Sequence, residues 1–331
     1  MLSSPISASD IEAAAQRLEG YILRTPLLES QALNAHLGCR LLIKAESLQR
    51  TGAFKIRGAL NKVMTLPPAL RAKGVVASSS GNHGNALAAA ARQFGIPCKI
   101  VMPADAPRVK IENTRENGAE IVLYDRERED RFAIVERLAR DAGMINVPPY
   151  DDVYVMAGQG TIGLEIVDQC SALGAAPAAV LVPSSGGGLS SGIAVAVRSR
   201  VPQARCYTVE PEGFDRMARS LRSGERQRNP RSAGSIQDAL TGAPMPGELT
   251  FAALIANEAS GLVVTDEEAK TAMAVLFRRL KLVAEPGGAA AVAAVLSRKA
   301  DLAGKTVVTV CSGGNVDAGL FAQAITREPA T

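Results

Sequence analysis

Seven short runs punctuate this chain and read as β-strands: Leu41–Glu46, Gly74–Ser78, Cys98–Met102, Glu120–Tyr124, Ala179–Val182, Cys206–Val209 and Thr306–Val310. Several are apolar without alternation, the pattern of strands buried on both faces of a parallel sheet. Longer stretches of helical period lie between them. The clearest is Asp266–Lys281, where Thr265 and Glu268 form a capping-box pattern and Ala269, Met273, Leu276 and Leu280 share a face. Strands and helices in alternation predict an α/β fold. The 331 residues allow one large domain or two medium ones, at about 150 residues per domain. Pro148-Pro149 follows four strand–helix units and is expected to mark a return crossing between two domains.

Composition excludes several classes. A net charge of +4 gives no reason to expect a nucleic-acid partner. No apolar run approaches the ~20 residues that cross a bilayer. The N-terminal MLSSPISASD lacks the basic-then-apolar order of a secretory signal. Five scattered cysteines without a CxxC pair, and only two histidines, argue for reduced thiols in a cytoplasmic protein and against a zinc cluster. The polar run from Arg222 to Arg231 reads as a solvated loop.

Three glycine-rich segments bear on chemistry. Gly158-Gln-Gly160-Thr-Ile-Gly163 has the form GxGxxG, but only a weak strand, Asp152–Met156, precedes it. No acidic residue stands near 178–183, so close helix packing explains it better than a dinucleotide. Ser185-Gly186-Gly187-Gly188 lies between an apolar strand and a helix. It reads as a phosphate cradle or as a plain tight turn. Ser78 to Gly84 (SSSGNHG) also joins a strand to a helix, on which Leu87, Ala91 and Phe94 share a face. It reads as a site for a small anion such as a carboxylate, or as ordinary capping by Ser80 or Asn82. Lys55 follows a glycine-containing turn at a helix start, where the helix dipole and any desolvation both lower a lysine pKa, as Schiff-base chemistry requires; an ordinary solvent-facing lysine is the other reading.

Taken in order, TGAFKIRGA at 51–59, SSGNHG at 79–84, SGGGL at 185–189 and CSGGNVD at 311–317, with VEPEG at 209–213 and EPGGA at 285–289, resemble the fold type II pyridoxal-phosphate enzymes. More narrowly they resemble the threonine/serine dehydratase and serine racemase group. The likeness runs from about Arg24-Thr25-Pro26-Leu27 to Asp317. Ala53 stands where the group usually has serine, and Ser185 where it has the first glycine of the phosphate loop.

The resemblance implies two open twisted α/β sheet domains, tryptophan synthase β-like, with the cofactor in the cleft between them. Residues 1–49 and 146–331 would form the large domain and 50–145 the small one. It implies pyridoxal phosphate on Lys55 as a Schiff base, with Phe54 packed by the ring, Asn82 at the ring hydroxyl and Ser312 at the pyridine nitrogen. Ser185, Gly186, Gly187 and Gly188 would hold the phosphate, and Glu285 would also face the cofactor. Ser79, Ser80, Asn82 and His83 would take the substrate carboxylate. A neutral serine at the ring nitrogen weakens the electron sink and favours quick β-elimination over transamination. The implied activity converts L-threonine or L-serine to 2-oxobutyrate or pyruvate and ammonia, in a homodimer of catabolic type without a regulatory domain.

Racemisation and 3-hydroxyaspartate elimination remain open on the same scaffold. Ser80 holds the position of the second base in the group's racemases. A non-enzymatic ligand-binding protein is the alternative of a different class. Metal-activated members carry a segment like V-E-P-x-x-A-D-D. Here Glu210 and the Phe214 carbonyl remain as ligands for magnesium or calcium, while Arg216 replaces the final aspartate, so any cation site is expected to be weak.

Overall fold

A computed structural model describes residues 4–106, 108–229 and 234–326. The expected solvated loop reaches Arg231, so its last two residues lie outside the described ones. Its first two, Arg222 and Ser223, close a helix, Arg216–Ser223.

Among the described residues, ten strands form two sheets: β1 (Leu27–Glu29), β2 (Arg40–Ala45), β3 (Val75–Ser78), β4 (Cys98–Pro103), β5 (Glu120–Tyr124), β6 (Ile145–Asn146), β7 (Ala179–Pro183), β8 (Arg205–Pro211), β9 (Ser260–Val264) and β10 (Thr306–Cys311). The larger sheet runs β1-β2-β10-β7-β8-β9 and the smaller β5-β4-β3-β6. All pairings are parallel except β1 with β2. The seven expected strands are present, each within one or two residues of its expected ends. The Asp266–Leu280 helix begins with the capping box of Thr265 and Glu268. Asp152–Met156 is not a strand. Asp152 caps the long helix Val153–Ala172 by accepting the amides of Tyr154 and Val155.

The glycines of the GxGxxG segment lie inside that long helix and serve packing. A Cβ on Gly158 would stand 2.7 Å from the Arg57 carbonyl oxygen and from the Gly58 Cα. One on Gly160 would stand 2.9 Å from the Gly192 carbonyl oxygen. Backbone therefore meets backbone, and the Lys55–Thr65 and Gly188–Arg200 helices are seated directly on the Val153–Ala172 helix. No nucleotide is needed to explain these glycines.

Strand order decides where a ligand can sit. In the larger sheet the chain winds from β7 outward through β8 and β9, then returns to place β10 on β7's other side. In the smaller sheet β6 likewise returns beside β3. Crevices open at the carboxyl ends of strands at such reversals. The segments following β7, β10, β3 and β6 are Ser184–Gly188, Ser312–Asn315, Ser79–Asn82 and Val147–Asp151, and contacts between them form one cleft. Among the described residues no helix is long and apolar enough to cross a membrane. All five cysteines are free and buried.

Candidate active site

Lys55 opens its helix on the N-cap of Phe54, without a side-chain cap. The segment before it is pinned to the end of β10, because Phe54 donates its amide to the Ser312 carbonyl at 3.1 Å and Ala53 bridges Gly313. Lys55 Nζ donates to the Pro149 carbonyl oxygen at 2.7 Å and lies 5.1 Å from the centre of the Phe54 ring. Burial drives its pKa down to about 8, against the opposing pull of the Glu285 carboxylate. A neutral amine is thus within reach near physiological pH.

The four helices that begin around this cleft are those of Lys55, Asn82, Gly188 and Pro286. None has its first amides covered by the side chain of its own N-cap residue. At the Asn82–Gln93 helix the N-cap is Gly81, not Ser80 or Asn82, so ordinary side-chain capping does not explain the segment. Asn82 instead donates its amide to Glu285 Oε1 at 2.7 Å and accepts from Asn315 Nδ2 at 2.8 Å. Ser79 Oγ accepts the Gly81 amide at 3.2 Å. His83, expected at the substrate carboxylate but as a structural hydrogen-bonding residue and not a base, is buried, and its Nε2 meets the Val147 carbonyl oxygen at 2.8 Å, so it steadies the crossing chain. Burial and then the nearby Lys55 charge push its pKa to about 3, which keeps it neutral.

Ser185–Gly188 form a cradle that side chains would close. Gly187 takes φ +98°, and a Cβ there would stand 2.8 Å from Thr250 Oγ1. A Cβ on Gly186 would run into the Tyr150 ring. The Gly186 carbonyl accepts from Thr250 Oγ1 at 2.6 Å, which fixes the loop, and the start of the Gly188–Arg200 helix has no side-chain cap, so its amides can meet an anion. These residues fit the phosphate of a cofactor whose aldehyde end would meet Lys55.

A family model described as "pyridoxal-phosphate dependent enzyme" matches residues 18–313. The chain belongs to the pyridoxal-phosphate dependent enzymes. It is 41% identical over 316 residues to the L-threo-3-hydroxyaspartate ammonia-lyase of Saccharomyces cerevisiae, covering 96% of this chain and 95% of that protein. It is 39% identical over 321 residues to the catabolic L-threonine dehydratase of Escherichia coli K12, covering 96% of each. Among solved structures, maize serine racemase superposes with a TM-score of 0.89 at 35% identity, covering 96% of each chain.

Two parts of this pyridoxal-phosphate enzyme's cleft are absent from the sequence reading. The crossing 147–151 is more than a linker. Val147 meets His83, Pro149 meets Lys55, Tyr150 packs on Gly186 and Gly188, and Asp151 accepts the amides of Glu248, Leu249 and Thr250. Only the double proline hinted at it. Asn315 is the second. It lies in the quoted CSGGNVD segment, yet its contacts with Asn82 and the Thr51 carbonyl need the fold.

The expected cation ligands are engaged elsewhere. Glu210 Oε1 and Oε2 accept the amides of Met217 and Ala218 at 3.0 and 2.8 Å, and the Phe214 carbonyl accepts from Arg216 at 3.0 Å. The oxygens a hard cation would need are taken, and a guanidinium stands among them. These residues do not fit magnesium or calcium.

Proposed function

We propose that this chain is a pyridoxal-phosphate dependent ammonia-lyase of the catabolic threonine/serine dehydratase type. It converts L-threonine or L-serine to 2-oxobutyrate or pyruvate and ammonia. The observation that carries this reading is Lys55, an amine with its pKa lowered to about 8, in a cleft that also holds the Ser185–Gly188 cradle. The cofactor lies between a large domain, 1–49 and 146–331, and a small domain, 50–145.

Pyridoxal phosphate, when bound, supplies the aldehyde that captures the substrate amine and the ring that delocalises charge from Cα. The protein's part is to hold and to move protons. Lys55 Nζ is the attachment point and, once released, takes the proton from the substrate Cα. Ser185, Gly186, Gly187 and Gly188 hold the phosphate. Phe54 would lie beside the ring, Ser312 would face its nitrogen, and Asn82, fixed by Glu285 and Asn315, would face its hydroxyl. The uncapped start of the Asn82–Gln93 helix, with Ser79 and Ser80, takes the substrate carboxylate. The substrate loses its Cα proton and its β-hydroxyl as water, and the resulting enamine hydrolyses to the 2-oxo acid and ammonia.

The same elimination on L-threo-3-hydroxyaspartate is the second reading, favoured by the 41% identity to the yeast ammonia-lyase. Buried free thiols support a cytoplasmic enzyme. We also take it to be a homodimer. Borohydride trapping followed by peptide mapping tests the attachment, which is expected at Lys55; label on any other lysine overturns the site. Release of 2-oxo acid from a panel of 3-hydroxy amino acids tests the reaction. Turnover of threonine and serine is expected, and a response to 3-hydroxyaspartate alone selects the second reading.

A further inference from the structure

Arg216 begins the Arg216–Ser223 helix, and its side chain is wholly buried. Its Nη1 donates to the Phe214 carbonyl at 3.0 Å. Its Nη2 donates to Ser185 Oγ and to the Leu240 carbonyl, both at 2.6 Å. One guanidinium therefore joins three segments: the turn after β8, the first residue of the glycine cradle, and the Asp238–Leu240 turn. Leu240 in turn lies under the helix of Glu285, where a Cβ on Gly287 would stand 3.1 Å from Leu240 Cγ. Among the described residues Arg216 Nε finds no partner.

We infer that Arg216 is an internal cation that positions the phosphate loop, and that it replaces a divalent metal ion at this place in the fold. The site's chemistry supports the exchange. Arg216 brings a fixed positive charge to the position where the metal-activated pattern has its last carboxylate, and both oxygens of Glu210 are held by the Met217 and Ala218 amides. A guanidinium also has a fixed donor geometry, so it can tie chosen oxygens where a metal would gather a shell. The bond to Ser185 gives a role to the residue that departs from the group's glycine, because glycine has no side chain to accept from Nη2. A positive charge behind the loop favours a dianionic phosphate in front of it. Cofactor retention in this chain is then independent of divalent metal.

This inference rests on the proposed phosphate site, and the test separates the two. Holoenzyme treated with EDTA, then with millimolar magnesium or calcium, is expected to keep its melting midpoint within about 1 °C. Arg216→Met is expected to weaken pyridoxal phosphate binding about tenfold or more, measured as a Kd on resolved apoenzyme. Ser185→Gly, although it restores the group's usual residue, is expected to weaken binding less. The double variant should bind no worse than Arg216→Met, because both remove the same contact. Arg216→Asp should gain a rise in melting midpoint with magnesium that the wild type lacks. A saturable magnesium-induced rise in the wild type, or unchanged affinity in Arg216→Met, overturns the inference, as do additive losses. If Arg216→Met does not fold, the wild-type metal titration and the Ser185→Gly affinity still decide. Failure to trap the cofactor on Lys55 in the wild type overturns the proposed function itself.

Discussion

Lys55 and Arg57 stand two residues apart on one helix, roughly 200° around its axis, and they meet opposite surroundings. Arg57 points into the interior between the Lys55–Thr65 helix, β2 and the Val153–Ala172 helix. Its Nε and Nη2 each donate to Glu46 at 2.8 Å, and Nη1 donates to Glu165 at 2.6 Å and to Thr161 at 3.1 Å. Lys44 completes the cluster, with Nζ 2.5 Å from Glu165 and 2.7 Å from the Thr25 carbonyl. Two cations meet two carboxylates, each held by hydrogen bonds from several sides. Burial alone would lower the Arg57 pKa, but Glu46 and Glu165 more than offset it and hold it up. Lys55 has a carbonyl for its near partner, and burial wins there. A buried cation surrounded by paired carboxylates is fixed as architecture. A buried amine offered only a carbonyl can lose its proton and react.

The sharpest way to break this contrast is to remove Lys55. Lys55→Ala is expected to lower turnover by at least about 10³-fold, through loss of both attachment point and base. Its urea midpoint should stay close to the wild type's. Residual turnover within a factor of about ten, read by 2-oxo acid release, would make Lys55 an ordinary cleft residue.

Arg57→Met should do the reverse. It strands Glu46 and Glu165 in the interior and is expected to cost about 3–5 kcal/mol of stability in urea titrations. Whatever protein remains folded should still trap cofactor on Lys55. The cluster also makes stability depend on acid. Burial raises the Glu165 pKa, but Arg57 and Lys44 prevail and hold it below the usual glutamate range. Its contribution is therefore present above that range and lost as pH falls through the depressed value. Glu165→Gln should accordingly differ most from the wild type near neutrality and least in acid. A constant difference would contradict the pairing.

A third comparison uses pH at the cleft. The rate at which apoenzyme captures pyridoxal phosphate should rise with pH and level above about 8, the pKa of Lys55. Glu285→Gln removes the charge that holds this value up, so the rise should move to lower pH. A wild-type midpoint in the ordinary lysine range would show that Lys55 is solvated.

The smallest effect belongs to His83. Its pKa near 3 keeps it neutral at working pH. His83→Gln should cost about 1 kcal/mol, one hydrogen bond to Val147. It should leave the activity profile unchanged between pH 5 and 7, around the usual histidine range. A limb in that range that vanishes in the variant would return His83 to the substrate.

Local pattern made much of this legible. The inner strands β7 and β10 are buried on both faces, so the run of β7 is continuously apolar, that of β10 is broken only by threonine, and both are easily read. Three strands escaped. β1 and β6 have three and two residues, too few for a period, and β9 is a half-buried edge strand that opens on Ser260-Gly261. The capping box at Thr265 was visible because its partners lie three residues apart. The Val147 partner of His83 was not legible because it comes 64 residues later.

Local sequence pattern by itself sufficed for seven of the strands, the Thr265-capped helix and the short stretches that carry hydroxyls, glycines and the candidate lysine. Those depend on periodicity and on neighbours within a few residues. Tertiary structure alone decided what each polar group meets. GxGxxG became a helix seam because the backbones of Arg57 and Gly192 lie against it. Glu210 and Phe214 lost their cation because Arg216 turned inward to reach Ser185 and Leu240, 31 and 24 residues away. The physical reason is that the cost of burying a charge is set by the partners that fold around it, and such partners come from any point along the chain.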